Sequence, residues 1–396
     1  MEPTDNRHGG DLWRITGADF IVRLAYQMGK TPLLPLFAAA LGAGELLVGT
    51  IVSVSTATGM ALKPLFGLLS DRQGRRLWLL IGLTVFSVVP FLYRFVETPD
   101  HLFALRLFHG LATAIFGPVG LAYVAEMGAQ NRAERLGIFG LARSGAYLLA
   151  PTLSALSLTY FAPEQVFTVI GFASLLAFLP LSRLKDRPNL DKAPVRASLS
   201  RSFAAILASR AFRLVALLEF TLYLGTYALK AFLPLYAIKL LGIDLLLVGL
   251  FFTVQEAAHL VLRTHCGRFA DRVGFIPPIA IGLTLVGGAM FLVMWAAGAG
   301  TLLLAAIMIG AGLALILPAT TALYGAELPE TSLGAGLGAL GSLRNLGKII
   351  GPVVAGAILS ISNYQTLFAL SGSTLLVVAL IMIVGIRPRR ARQGAV

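Results

Sequence analysis

Long apolar stretches recur along this chain from Leu12 to Ile386. A helix needs about 20 apolar residues to cross a bilayer, and only helices or closed barrels satisfy their own backbone hydrogen bonds there. The stretches are too long and too apolar for barrel strands, which alternate over about 10 residues. They predict twelve helical spans, numbered 1 to 12 in chain order: 12–38, 46–70, 77–98, 101–126, 135–159, 164–183, 211–238, 246–267, 276–297, 301–327, 335–360 and 365–386.

The composition and the placement of charge agree with this interpretation. Only 13% of the residues are charged, whereas soluble proteins have about 25%. If both termini are cytoplasmic, the cytoplasmic segments hold 21 Lys and Arg and the outer loops hold two, as the positive-inside rule requires. The net charge of +13 is therefore mostly topological, and no nucleic-acid partner is expected. We predict a monomeric, multi-pass protein of the bacterial plasma (inner) membrane, with both termini cytoplasmic and no cleavable signal peptide.

One polar stretch divides the chain. Residues 184–210 contain six Lys and Arg and two Asp, and they are expected to form a cytoplasmic linker with a short amphipathic helix near 199–208. The predicted domains are a six-helix bundle at 1–183, this linker at 184–210, and a second six-helix bundle at 211–396.

The two halves resemble each other in sequence. A shift of about 200 residues pairs Leu47-Val48-Gly49 with Leu247-Val248-Gly249, Asp71 and Gly74 with Asp271 and Gly274, Lys30 with Lys230, Arg143 with Arg344, and Pro151 with Pro352. Internal repeats of this kind are typical of secondary transporters, whose substrate site lies near the bilayer midplane where the repeats meet.

The polar segment after span 2 is the most specific motif. It reads Gly67-Leu-Leu-Ser-Asp71-Arg72-Gln-Gly74-Arg75-Arg76, and we expect a six-residue cytoplasmic turn that needs glycine for its backbone conformation. Here the chain resembles the major facilitator superfamily over its whole length, most closely the 12-helix drug:proton antiporter branch.

The resemblance implies an all-α fold of two pseudo-symmetric six-helix bundles. It also implies a gating role for the loop, in a charge cluster that joins Asp71 and Arg75 to Glu126 on span 4 and Arg344 on span 11. The alternative is a basic loop that only sets topology.

Two further motifs resemble those of the same family. Span 4 carries Arg106 followed by His109 and Gly110, where the family has glutamine in place of histidine. Arg106 is a candidate for proton coupling or substrate binding; alternatively, it reaches the outer interface with its guanidinium. Glycines and prolines in spans 5 and 11, with Gly351-Pro352 as the better copy, resemble an antiporter motif that favours export. Small residues also allow close helix packing without such a role.

Ionisable residues inside the spans are functional candidates because an unpaired charge there is costly. The proton-coupling candidates are Glu256, Asp19, His259, Arg106 and Glu219, with Glu256 first because a carboxyl group in a low-dielectric cavity takes up a proton readily. Asp19 and Arg23, four residues apart, are expected to pair. The substrate-binding candidates are Arg23, Lys30, Tyr26, His109, Tyr223, Tyr227, Lys230 and Lys348.

The ionisable residues deep inside the spans are seven bases and three acids. This surplus of positive charge favours a substrate with an anionic group. We therefore predict a proton-coupled secondary transporter, an antiporter that works by alternating access and exports small amphipathic or anionic organic compounds. The alternatives are an organic-anion uptake symporter, a lipid or lysolipid flippase, and a membrane receptor. An enzyme is not expected, because the chain lacks a GxSxG elbow and a phosphate-binding loop. Neither a cofactor nor a metal site is expected.

Overall fold

The computed structural model describes residues 5–128, 131–185, 210–327 and 333–385, and within these ranges every regular element is a helix. Spans 1 and 6 are each made of two helices, and span 3 ends in a short 3-10 turn. The helices are Asp5–Met28 and Leu33–Ala40, Glu45–Gln73, Arg75–Leu92, Pro99–Ala125, Arg132–Tyr160, Pro163–Leu175 and Phe178–Ser182, Arg210–Lys239, Leu245–Val273, Ile276–Met294, Ala299–Glu327, Leu333–Ile361 and Tyr364–Gly385. Most of the predicted linker, with its amphipathic helix, lies outside the described residues.

Across the described ranges, eleven helices are long and apolar enough to cross a membrane, corresponding to spans 2 to 12. The helix Asp5–Met28 has the length but not the apolarity, because it contains Asp11, Arg14, Asp19 and Arg23. The chain is therefore a multi-pass membrane protein whose first helix is the most polar of the set.

Spans 2 and 3 are joined by a single residue, Gly74, which has φ 97° and ψ 139°. The six-residue turn predicted from the sequence is wrong, since Asp71 and Arg72 belong to the last turn of span 2 and Arg75 begins span 3. A helix can continue through charged residues once it leaves the apolar layer, so polarity alone did not mark its end. Gly274, with φ 85°, follows the end of span 8 in the same way.

Substitution of Gly74 by alanine is expected to lower the free energy of unfolding by more than about 1 kcal/mol, because a Cβ is strained at this positive φ. Thermal unfolding of the purified protein in detergent measures this change. Gly67→Ala is the matched control: Gly67 lies inside span 2, and a Cβ there would meet nothing within 4 Å. The control should be neutral or slightly stabilising, and equal losses in both variants would contradict the explanation.

The chain folds as two compact units. The first contains described residues of 1–196, 226–253 and 345–363, and the second those of 197–225, 254–344 and 364–396. In the first unit, span 4 packs against spans 2 and 3, and span 1 packs against span 5. In the second unit, span 9 packs against spans 10 and 12. The predicted division at 184–210 remains a prediction.

Two close helix crossings in the first unit depend on glycine. A Cβ on Gly49 of span 2 would lie 2.7 Å from the backbone carbon of Pro352 in span 11. A Cβ on Gly249 of span 8 would lie 2.8 Å from the carbonyl oxygen of Pro151 in span 5. The sequence repeat pairs these glycines with each other and these prolines with each other, so one crossing occurs twice.

Candidate functional site

Asp19 is the centre of a buried charge network in the first unit. Its side chain is 1% exposed. Arg143 of span 5 donates to both of its oxygens, from Nε to Oδ2 and from Nη2 to Oδ1, each at 2.8 Å. Arg23 Nη2 lies farther away, 3.4 Å from Oδ1. The predicted pair of Asp19 with Arg23 is present, but the stronger bidentate bond is to Arg143.

Glu219 forms the corresponding network in the second unit. The side chain is fully buried, and Arg344 of span 11 donates to its two oxygens at 2.7 Å and 2.6 Å. Thr320 donates a third hydrogen bond to Oε1 at 2.9 Å. Glu219 and Arg344 lie about 200 residues after Asp19 and Arg143, so the two ion pairs are related by the sequence repeat.

The predicted loop cluster has three of its members in contact in the first unit: Asp71, Arg75 and Glu126. Arg75 pairs with Asp71, donates to Ser70, and donates from Nη2 to Glu126 Oε1 at 2.9 Å. The predicted membership of Arg344 in this cluster stays a prediction; within the second unit its guanidinium is bound by Glu219. Gly67 lies inside span 2, and Arg72 is exposed in the last turn of that helix.

Arg106 is completely buried, and its contacts are with neutral groups. Its Nη2 donates to Ser55 Oγ, and its Nη1 lies 3.4 Å from Tyr93 Oη. The guanidinium carbon lies 6.0 Å from the centre of the Tyr26 ring. Among the residues described, no carboxylate forms an ion pair with Arg106, and its Nε is buried without an acceptor. The alternative that Arg106 reaches the outer interface is not what the structure shows.

His109 and Tyr26 complete the surroundings of Arg106. The His109 Nδ1 and the Tyr93 hydroxyl are 3.0 Å apart, while its buried Nε2 has no partner in the described structure. The Tyr26 hydroxyl lies 3.3 Å from Ser55 Oγ, and its ring lies 5.1 Å from the His109 ring. The ammonium of Lys30 lies 4.9 Å from the Tyr26 ring centre. The structure thus brings together four predicted candidates: Arg106, His109, Tyr26 and Lys30.

A second group of candidates surrounds Tyr227. The ammonium groups of Lys230 and Lys348 each lie 5.4 Å from the centre of the Tyr227 ring. Cations over an aromatic face are attracted by its quadrupole, so this ring holds two positive charges from spans 7 and 11. Tyr223, one turn earlier on span 7, acts electrostatically on Arg344 in the second unit.

Glu256 and His259 are neighbours on span 8. Glu256 Oε2 lies 3.7 Å from His259 Nδ1, which is too long for a hydrogen bond. Both side chains are about one fifth exposed, in contrast to the buried Asp19 and Glu219. Across the parts of the chain that the structure describes, no cluster of three potential metal ligands occurs.

Sequence reasoning did not identify three of the residues that shape this site. Ser55 and Tyr93 are the hydrogen-bond partners of Arg106, but isolated serines and tyrosines in apolar helices carry no signal. Lys63 of span 2 is the third, and the charges of Arg23 and Lys30 act on its ammonium group. The helical spacing of Ser55, Gly59 and Lys63 is the one signal that could have placed it on the face toward span 4.

Comparisons with known proteins agree with this architecture. A sequence profile of the Major Facilitator Superfamily matches residues 19–301 and 215–395. Multidrug resistance protein 1 of Bacillus subtilis is 25% identical over 344 residues, 85% of this chain and 87% of the relative. The quinolone resistance protein NorA of Staphylococcus aureus is 21% identical over 354 residues, 89% and 91% of the two chains.

Solved structures show the same fold. The nucleoside transporter NupG matches with a TM-score of 0.81 at 14% identity, covering 94% of this chain and 98% of that one. At this level of identity the likeness concerns the fold alone. The predicted all-α fold of twelve spans in two six-helix bundles is confirmed.

Proposed function

The chain belongs to the major facilitator superfamily, and on that premise we propose that it is a proton-coupled antiporter that exports small amphipathic or anionic organic compounds. The family and the relatives described above are transporters of small molecules, not enzymes. In our proposal the protein works by alternating access, as a monomer in the bacterial inner membrane, with its termini in the cytoplasm and its two bundles divided at residues 184–210.

The observation that carries the proposed substrate class is the excess of buried and half-buried cations in the first unit. Arg106 and Lys30 have no ion pair with a carboxylate in the described ranges, and Asp19 shares its single charge between Arg23 and Arg143. Positive charge in a low-dielectric region is stabilised by an anion. An anionic group on the substrate supplies that charge when it binds.

The proposal of proton coupling rests on Glu256 and His259. Asp19 and Glu219 are each held by a pair of charge-assisted hydrogen bonds from one arginine. Glu256 lies beside His259 and is more exposed than Asp19 or Glu219, with about one fifth of its side chain accessible. It is therefore the better placed of the three carboxyl groups to take up and release a proton during transport.

Two observations favour export. The relatives that resemble this chain are named for resistance to drugs and quinolones. In addition, the Gly351-Pro352 motif lies at the crossing of spans 2 and 11, beside Gly49. The topology of the proposal, with cytoplasmic termini, follows from the 21 cytoplasmic and two outer basic residues.

The test is flux in proteoliposomes with an imposed pH gradient, using protein whose orientation has been determined by protease accessibility. Anionic, neutral and cationic aromatic compounds are compared as substrates. We expect anionic compounds to move opposite to the protons and out of the cytoplasmic side. Movement in the same direction as the protons would instead identify an uptake symporter. Flux that is independent of the gradient would contradict proton coupling.

Glu256→Gln is expected to abolish the response of transport to the pH gradient, because glutamine cannot exchange a proton. Exchange of substrate between the two sides, without a gradient, is expected to persist. Glu97→Gln is the matched control, since Glu97 is exposed at the connection between spans 3 and 4. Gradient-driven flux of Glu256→Gln at the rate of this control would remove Glu256 from the proposal.

A further inference from the structure

Three half-buried cations share one region of the first unit: Arg23 and Lys30 of the first span, and Lys63 of span 2. Arg23 and Tyr26 are three residues apart in the helix Asp5–Met28, so they lie on one face. Lys30 follows the end of this helix, and its ammonium group lies 4.9 Å from the centre of the Tyr26 ring. The charges of Arg23, Lys30 and Arg143, together with the Tyr26 hydroxyl, all act on the Lys63 ammonium. Spans 1 and 2 are in contact here, since Ser55 Oγ lies 3.3 Å from the Tyr26 hydroxyl, and Lys63 lies two turns after Ser55 on span 2.

Helix contacts fix this arrangement. Ser55, Gly59 and Lys63 are spaced by four residues along span 2 and lie on one face. Ser55 accepts a hydrogen bond from Arg106 of span 4, and a Cβ on Gly59 would lie 2.5 Å from Thr113 Oγ1 in the same span. Lys63 continues this face one turn farther, where the side chain is half-exposed.

Carboxylates in this region do not balance the cations. Asp19 is the carboxylate that contacts Arg23, and Arg143 occupies both of its oxygens. In the described parts of the chain, neither Lys30 nor Lys63 forms an ion pair. The buried Arg106 adds another positive charge, with its guanidinium carbon 6.0 Å from the centre of the Tyr26 ring.

Partial exposure separates Arg23, Lys30 and Lys63 from Arg106. Arg106 is fully buried beneath Tyr26 and Ser55, so it contributes a long-range field rather than a direct contact. The Arg23 side chain is 19% exposed, and Lys30 and Lys63 are half-buried, so these three can contact a ligand. Two flexible ammonium groups and one planar guanidinium supply donors for several oxygens of a single head group.

We propose that Arg23, Lys30 and Lys63 form a binding site for the dianionic head group of an organic compound, such as a phosphate monoester or a dicarboxylate. The inference rests on the proposed function and narrows its substrate class. A monocarboxylate neutralises one of the three cations, whereas a dianion neutralises two and accepts more hydrogen bonds. Charge-assisted bonds of this kind are stronger than those between neutral groups, so the site discriminates by ligand charge.

The experiment measures equilibrium binding to the purified full-length protein in detergent at pH 8, by isothermal titration calorimetry in a buffer without phosphate. Four probes share one aromatic body: phenyl phosphate and phthalate as dianions, benzoate as a monoanion, and benzylamine as a cation. The second ionisation of a phosphate monoester lies near pH 6, so phenyl phosphate is a dianion at pH 8. We expect at least one dianion to bind about tenfold more tightly than benzoate, which corresponds to about 1.4 kcal/mol. The preferred dianion distinguishes a phosphate site from a dicarboxylate site.

Charge-removing variants locate the site. Lys63→Gln is expected to reduce the preference for the dianion over benzoate to about threefold or less, or about 0.6 kcal/mol. Lys63→Arg keeps the charge and should keep the preference, which separates loss of charge from misfolding. Lys239→Gln removes an exposed lysine at the end of span 7 and should leave the preference unchanged.

Equal affinities for phenyl phosphate, phthalate and benzoate would overturn the inference, and so would an unchanged dianion preference in Lys63→Gln. These results are distinguishable from failure of the proposed function. A protein that exports benzoate in response to a pH gradient but shows no dianion preference would retain the function and lose this site. A protein that binds dianions selectively but shows no coupled flux would retain the site and lose proton coupling.

Discussion

Replacing Asp19 with asparagine is expected to destabilise the protein by about 3 kcal/mol or more. The substitution keeps the shape of the side chain but removes the charge that balances Arg143 and Arg23. Removing one partner of a buried ion pair leaves the other charge uncompensated, which typically costs about 3–5 kcal/mol. Asparagine offers one acceptor oxygen where aspartate offers two, so Arg143 also loses one of its two hydrogen bonds at 2.8 Å. The free energy of unfolding in detergent or lipid measures the loss.

A second substitution tests this explanation. In the double variant Asp19→Asn with Arg143→Gln, both members of the bidentate pair are neutral, so we expect recovery of part of the stability lost in the single variant. Asp100→Asn is the matched control, because Asp100 is exposed in the first turn of span 4 and its loss should cost at most about 1 kcal/mol. A double variant less stable than Asp19→Asn would show that the uncompensated Arg143 charge is not the cause.

The same reasoning applies to Glu219 and Arg344, and this equivalence was available in the sequence. The 200-residue shift pairs an acid with an acid and a base with a base, so the two partners occur at matching positions in both halves. Partners 124 and 125 residues apart could not be assigned from one copy alone. Local spacing favoured Arg23 as the partner of Asp19, since contacts between neighbouring turns of one helix are the only ones that a sequence gives directly.

The positions of the spans were predictable because the length of an apolar stretch can be taken directly from the sequence. The rotation of each helix about its own axis depends on the neighbouring helices and cannot. Arg106 illustrates this limit. Its place inside span 4 was evident from the sequence, but the two interpretations placed the guanidinium in different environments. The choice between them depends on Ser55, Tyr93 and Tyr26, which come from other helices.

The predicted turn at Gly74 was wrong for a physical reason. Charged residues after span 2 were interpreted as loop, although a helix tolerates them beyond the apolar layer. The resemblance groups Arg344 with Glu126, which stays a prediction, and the structure adds a partner that the resemblance did not indicate, the buried Glu219 on span 7. A resemblance identifies which charged residues match a family motif, but the neighbouring side chains in the fold determine which ion pairs form.

Gly249→Ala is expected to reduce transport by about tenfold or more while leaving the protein folded. A Cβ at this position would lie 2.6 Å from Ala155 Cβ and 2.8 Å from the Pro151 carbonyl oxygen. Backbone atoms cannot move aside as a flexible side chain does, so spans 5 and 8 must separate. The proposed alternating access requires these two helices to approach and separate. The added methyl group disfavours the closed state, in which they are in contact, and so lowers its population. A tenfold loss corresponds to about 1.4 kcal/mol against the closed state.

Cross-linking reports on the same contact. The hydroxyls of Thr152 and Thr253 are 2.7 Å apart beside Gly249, so cysteines at both positions, with Cys266→Ser to remove the native thiol, are expected to form a disulfide. Gly249→Ala should lower the yield of this disulfide. Gly49→Ala should also lower transport, because Gly49 forms the equivalent helix crossing with Pro352. Gly137→Ala in span 5 is the control, since a Cβ there would meet nothing within 4 Å. The added methyl group prevents spans 5 and 8 from reaching the distance seen in the structure. Full transport and full cross-linking in Gly249→Ala would therefore show that this close approach is not required.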